Sequence, residues 1–163
     1  MEIQPVCTDE FVNAVLDRYS DMVYRIALTQ TKTKENAEDV YQEVFLRLIQ
    51  TKKPFESEEH IKAWLIRVTI NCSRKIFASS WLRRTVPLEE DLELQTPDKS
   101  DIFRFVAALP QTYSIIIYLY YKEDYNLKEI SALLHMKEAT VRSRLFRARN
   151  MLRKEMGGEP DEG

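Results

Sequence analysis

Glycine is nearly missing from this chain: three in 163 residues, all of them after Glu155. That excludes a glycine-rich loop for cradling phosphate and leaves little turn chemistry for an all-β fold. Cysteine and histidine are as scarce, two of each. Cys7 and Cys72 cannot make a disulfide framework, and with only His60 and His135 beside them no zinc-type spacing forms. A reducing, cytoplasmic setting is therefore expected. Long apolar runs are also missing. The longest, Ile115–Tyr121, falls far short of the roughly 20 residues that span a bilayer, and no signal-peptide pattern opens the chain. No direct membrane insertion is expected. There is no activated Ser or Cys and no carboxylate–histidine arrangement, so neither catalysis nor a cofactor or metal is expected.

What is present points to helices. Hydrophobic residues make up 44% of the chain, enough for packed cores, and charged residues 31%. The net charge of −2 argues against a nucleic-acid binder until the charge is followed along the chain. From Lys137 to Lys154 there are seven Lys or Arg against one acid, Glu138. Wound at 3.6 residues per turn, this stretch puts Val141, Leu145, Ala148 and Leu152 on one narrow apolar stripe. Arg142, Ser143, Phe146, Arg147 and Asn150 fall on the opposite face. A shorter helix precedes it, with Asn126 as N-cap and Glu129 at the third position, a capping-box pattern. Its Leu127, Ile130, Leu133 and Leu134 can pack on the Val141–Leu145 stripe. Two short helices, the second presenting arginines, form the helix-turn-helix pattern that enters the DNA major groove. A basic helix can also be plain solvated surface. Phe146 argues against that, because an exposed aromatic between arginines needs a cover such as a thymine methyl. The turn His135-Met136-Lys137 lacks the usual glycine, so His135 is expected to take the left-handed conformation at some cost.

Upstream, the periodicity predicts a helix from Asp9 to about Thr29, capped by Thr8, with Phe11, Val15, Tyr19, Met22, Val23, Ile26 and Ala27 on its core face. A second helix, about Lys34 to Thr51, buries Ala37, Val40, Tyr41, Val44, Phe45 and Leu48. Its opposite face carries Glu38, Asp39, Gln42, Glu43 and Gln50 around Leu46 and Ile49. An apolar centre with an acidic rim is how a partner-docking face is composed. A loop with Pro54 follows, and Ser57 caps a third helix to about Phe77. Its buried side is read as Ile61, Trp64, Leu65, Val68, Cys72 and Ile76, while Arg67, Asn71 and Arg74 share another side near Lys75. Residues of those types reach phosphates and base edges, though a solvated basic face is equally compatible. From about Ala78 to Ser100 the pattern stops, with Pro87 and Pro97 among Glu89, Glu90, Asp91, Glu93 and Asp98, as in an acidic interdomain linker. Asp101–Ala108 reads as a short helix, Gln111–Lys122 as one helix apolar nearly all round, and Gly157–Gly163 as a disordered tail. The expected fold is all-α: two small helical domains, 1–80 and 101–156, joined by a linker at 81–100, with the tail at 157–163.

The run NAEDVYQEVFLRL, then HIKAWLIRVTINCSRK, an acidic linker, LPQTYSIIIYLYY and LKEISALLHMKEATVRSRLFRARNML resembles a bacterial sigma factor. More narrowly, the chain is similar to the extracytoplasmic-function group of the sigma-70 family, over about Asp9 to Glu155. The resemblance implies binding to core RNA polymerase, promoter recognition and help in opening the −10 region. It implies that Asp39, Gln42, Glu43 and Leu46 dock on the β′ clamp helices, and that the second domain meets the β flap. It places Arg67, Asn71, Arg74 and Lys75 at the −10 element, with the Lys52–Ser57 loop, including Lys52 and Lys53, capturing a flipped base. Thr140, Arg142, Ser143, Phe146 and Arg147 would read the −35 element. An anti-sigma partner is implied as well. The HMK turn and Lys137, where a Ser or Thr cap is common, depart from the family pattern. A reading of another class is a free-standing dimeric helix-turn-helix regulator, whose acid-rimmed face would be a homodimer interface. An adaptor using its basic helix on acidic protein is a third.

Overall fold

A computed structural model describes residues 8–79 and 102–157, and every secondary-structure element among them is helical. The linker expected at 81–100 and the tail beyond Gly157 lie outside the described residues. The chain divides into two compact units, Met1–Trp81 and Leu82–Gly163.

In the first unit, helix α1 spans Asp9–Thr31. The Thr8 hydroxyl accepts from the Phe11 N–H at 3.1 Å, and Asp9 and Glu10 sit at the positive end of the dipole. The helix stops where Lys32 turns left-handed, φ 69°, and its N–H reaches back to Leu28 O. Thr33 then caps α2, Lys34–Gln50, accepting from Asn36 N–H at 3.2 Å. Ser57 caps α3, Glu58–Ser79, accepting from His60 N–H at 3.0 Å. Each of the three helices packs on the other two. Val23, Ile26, Val40, Leu48, Leu65 and Ile66 are among the fully buried residues between them, each worth about 1.5–3 kcal/mol relative to exposure.

Two expectations for this unit need correction. The last part of α1 is buried all round, from Arg25 to Thr31, rather than along one face. Its polar side chains are satisfied locally. Arg25 Nε donates to Asp21 at 2.8 Å, Thr29 Oγ1 to Ile26 O and Thr31 Oγ1 to Ala27 O. In α3 the buried residues are Ile61, Leu65, Ile66, Thr69, Ile70, Cys72 and Ser73, while Trp64, Val68 and Ile76 are half-buried. The buried stripe is broad because α3 packs on both α1 and α2. Thr69 and Ser73 fit there because their hydroxyls donate to the carbonyls of Leu65 and Thr69, at 2.6 and 2.7 Å.

The second unit contains α4, Ile102–Ala108, and α5, Gln111–Ile117, followed by a π-helical turn, Tyr118–Lys122. Then come α6, Leu127–Leu134, and α7, Glu138–Glu155. The single helix expected over Gln111–Lys122 thus changes winding at Tyr118. The Glu123 N–H skips to Tyr118 O at 3.3 Å, five residues back, and Tyr118 OH also donates to Glu123 at 2.9 Å. Helix α7 packs against α4, α5 and α6. Ser114, buried in α5, donates to Val106 O at 2.8 Å and ties α4 to it.

Candidate functional site

Helix α2 turns Ala37, Val40, Val44, Phe45 and Leu48 inward, with Tyr41 half-buried. The other face is therefore left to solvent. Leu46 is 51% exposed and Ile49 44%, a costly display for aliphatic side chains in the middle of a polar helix face. Asp39 and Gln42 are exposed beside them. Glu43 is half-buried and bound by Arg47, whose Nε donates to it at 2.9 Å. That hydrogen bond is the main reason the guanidinium is held above its ordinary range.

Asp39, Gln42, Glu43 and Leu46 line one open groove of about 500 Å³ with Arg47, and α3 supplies Cys72, Lys75 and Ile76 to it. Lys75, grouped from sequence with the DNA-facing set, also lines this groove. Nothing in the local pattern of α3 signals this, because it depends on how α3 lies against α2. The Cys72 thiol is buried and pushed up, mainly by desolvation.

Arg67, Asn71 and Arg74 are all exposed on α3, and their spacing of four and three residues puts them on one side of it. Lys52 and Lys53 are exposed in the loop between α2 and α3. The same loop holds Phe55 in an aromatic cluster, 6.0 Å from the Phe11 ring and edge-on to His60 and Trp64. His60 Nδ1 accepts from the Glu56 N–H at 2.9 Å and closes the loop onto the start of α3. A pocket of about 260 Å³ opens beside it, lined by Phe11, Pro54, Phe55, Glu56, Ser57, Glu58 and Ile61. Phe11, read from sequence as core, is half-buried there.

In the second unit the capping box forms as read. Asn126 Oδ1 accepts from Glu129 N–H at 2.8 Å and Glu129 accepts from Asn126 N–H at 2.9 Å. His135 does take the left-handed conformation, φ 55° and ψ 48°. The turn holds without glycine because Ser131 secures it twice. Its carbonyl accepts the N–H groups of His135 and Met136, and its hydroxyl donates to Met136 O at 2.7 Å. Lys137 provides no side-chain cap to α7.

Val141, Leu145 and Ala148 are buried and Leu152 half-buried, which turns the opposite face of α7 outward. Arg142, Ser143, Phe146 and Arg147 are exposed, and Thr140 and Asn150 are half-buried. Phe146 keeps 37% of its surface in solvent with an arginine on the next residue. Arg142 pairs with Glu138 at 3.4 Å, both side chains well exposed, a bond weak enough for another anion to displace. Arg149, outside the face read from sequence, donates from Nε to Tyr121 OH at 2.6 Å. The two faces are chemically opposite: an acid-rimmed aliphatic groove in one unit, arginines around a phenyl ring in the other.

Residues 15–85 match the family described as Sigma-70 region 2, and residues 100–152 match Sigma-70, region 4. The chain is 29% identical to the ECF RNA polymerase sigma factor SigM of Bacillus subtilis, over 87% of this chain and 93% of that protein. It is 26% identical to the ECF RNA polymerase sigma factor SigW of the same organism, over 87% of each. Among solved structures it is similar to the sigma factor RpoE in complex with the anti-sigma factor NepR from Bartonella quintana. That match has a TM-score of 0.66 and 19% identity, and covers 91% of this chain and 98% of that one.

Proposed function

The chain belongs to the sigma-70 family, in its extracytoplasmic-function group, and from that premise we propose that it binds core RNA polymerase, directs it to specific promoters and assists opening at the −10 element. The observation that carries this reading is the pairing of two dissimilar faces with the two matched regions. The Leu46 groove lies within the region 2 match, and the Arg142–Arg147 face lies within the region 4 match.

Residues 1–80 would serve as the docking and −10 domain, 81–100 as linker and 101–156 as the −35 domain. Asp39, Gln42, Glu43 and Leu46 meet a basic, partly apolar surface on the β′ clamp helices. Burial of Leu46 supplies apolar contact, and the acids set the register by charge. Lys52, Lys53, Arg67, Asn71, Arg74 and Lys75 attend the −10 element. Thr140, Arg142, Ser143, Phe146 and Arg147 attend the −35 element, arginines to guanine edges or phosphates and Phe146 to a thymine methyl. The chain itself performs no catalysis; phosphodiester synthesis belongs to the polymerase. It acts in the cytoplasm, where polymerase and promoter are. The structurally similar RpoE of Bartonella quintana is in complex with the anti-sigma factor NepR, and CnrH with the cytosolic domain of CnrY; an anti-sigma factor is proposed for this chain too.

The reading as a free-standing dimeric regulator needs a sensing or dimerisation domain where residues 15–85 instead match region 2. Affinity purification of the tagged full chain is the test. Recovery of the β and β′ subunits is expected. A chain that recovers no polymerase and elutes as a dimer overturns the proposal.

A further inference from the structure

Arg149 and Tyr121 are 28 residues apart in sequence and meet at the surface of the second unit. The Arg149 guanidinium carbon lies 5.8 Å from the centre of the Tyr121 ring, while Nε donates to the phenol oxygen at 2.6 Å. Tyr120 packs edge-on against the same ring, centroids 4.8 Å apart. One guanidinium is thus held at Nε and against a ring that is itself braced. The terminal nitrogens of Arg149 and the hydroxyl hydrogen of Tyr121 have no other protein partner among the described residues.

The π-helical turn is what brings Tyr121 out. In an unbroken α-helix Tyr121 would share a face with Ser114, Ile117 and Tyr118, seven, four and three residues back, and those three are buried. The wider winding from Tyr118 rotates Tyr121 off that stripe, and it is 54% exposed. On α7, Arg149 follows Arg142 by seven residues, two turns or about 10 Å along the same edge of the basic face.

We propose that Tyr121 and Arg149 together form a seat for a nucleic-acid backbone phosphate, at the edge of the base-reading face of α7. The inference rests on the DNA-binding reading of that face and deepens it. A guanidinium held at Nε presents its terminal nitrogens as a two-donor fork, the geometry that suits a phosphate. The Tyr121 hydroxyl accepts from Arg149 and keeps its own hydrogen to donate to the same phosphate. Nothing at this seat reads sequence; it fixes the register of α7 on the duplex.

The test uses the full chain and a fluorescein-labelled mixed-sequence duplex, with binding followed by anisotropy over a series of salt concentrations. Arg149→Ala is expected to lower the slope of log K against log salt by about 0.9, the value for one phosphate. Tyr121→Phe removes no charge, so it keeps the slope while weakening binding about two- to ten-fold, the cost of ordering one long side chain at an interface. In the Arg149→Ala background the Tyr121→Phe loss is smaller, because only the hydroxyl's own bond to the phosphate is left to lose. Arg149→Lys keeps charge and fold but not the planar fork, and is expected to behave like Tyr121→Phe. An unchanged slope for Arg149→Ala, or an equal Tyr121→Phe loss in both backgrounds, overturns the seat. A wild-type chain with no salt-dependent duplex binding, or one indifferent to Arg142→Ala and Arg147→Ala, overturns the DNA-binding reading itself.

Discussion

Arg142 and Arg147 are both exposed on the face of α7 that its buried stripe leaves outward, yet they need not do the same thing. An arginine bidentate to a guanine is worth about 1–3 kcal/mol of discrimination at one position, whereas a phosphate contact weakens all sequences alike. Transcription by the reconstituted holoenzyme from promoters mutated position by position separates the two roles. Arg142→Ala and Arg147→Ala are expected to relax preference at particular upstream positions. Variants that rank the panel as the parent does would remove both from base reading. Lys32 is a different kind of residue. It is only 5% exposed, and burial pushes its amine down from 10.5 to about 8. Between those two values the unfolded chain holds more protons than the folded one. Unfolding free energy therefore rises with pH across that window, and the gain is gone once pH has fallen from 10.5 to about 8, below which Lys32 adds no further pH dependence. Lys32→Met is expected to flatten that rise relative to the parent. Urea titrations of both proteins at several pH values check it; parallel curves would mean that the amine is well solvated.

Among the elements, α2 is the one with two separable faces. Asp39→Arg with Glu43→Arg reverses the rim of the groove while leaving Val40, Val44 and Leu48 untouched in the core. Like charges at a docked interface cost several kcal/mol, so recovery of polymerase and promoter-specific transcription are expected to be lost. Glu43 is also the partner of Arg47. The variant loses that pair and places arginines at 39, 43 and 47, two like-charge pairs four residues apart, so stability is expected to fall by about 1 kcal/mol without loss of the fold. A double variant that still recovers polymerase, but becomes monomeric where the parent was dimeric, would make this face a self-association surface.

At the scale of the whole molecule, charge is sorted along the chain. The net charge is −2, although Lys137–Lys154 carries seven cations against one acid. The acids of residues 81–100 and of the α2 face would repel DNA from the free chain. A fragment of residues 101–163 is therefore expected to bind duplex more tightly than the full chain at equal salt, with a slope of about −0.9 per phosphate neutralised. Equal affinities for the two at the same ionic strength would rule out masking by charge.

The amino-acid sequence by itself determined where most helices begin and what their faces carry. Thr8, Thr33 and Ser57 accept the first free N–H groups of α1, α2 and α3, and Asn126 with Glu129 closes α6. Those bonds span three residues, and the stripes of α2 and α7 follow from a period of 3.6, so both are local enough to be read from a single stretch of chain. The left-handed His135 belongs to the same class, because a two-helix turn of that length admits few backbone solutions. Other features were decided only by packing. The breadth of the buried side of α3 depends on its having two neighbours. Lys75 enters the α2 groove because of how those two helices lie together. The π-helical turn interrupts a segment whose apolar residues run all round and so leave no periodic mark. Tyr121 meets Arg149 across 28 residues because α5, which the π-helical turn continues, packs on α7. Contacts of that separation depend on the positions of whole helices, which no single stretch of residues encodes.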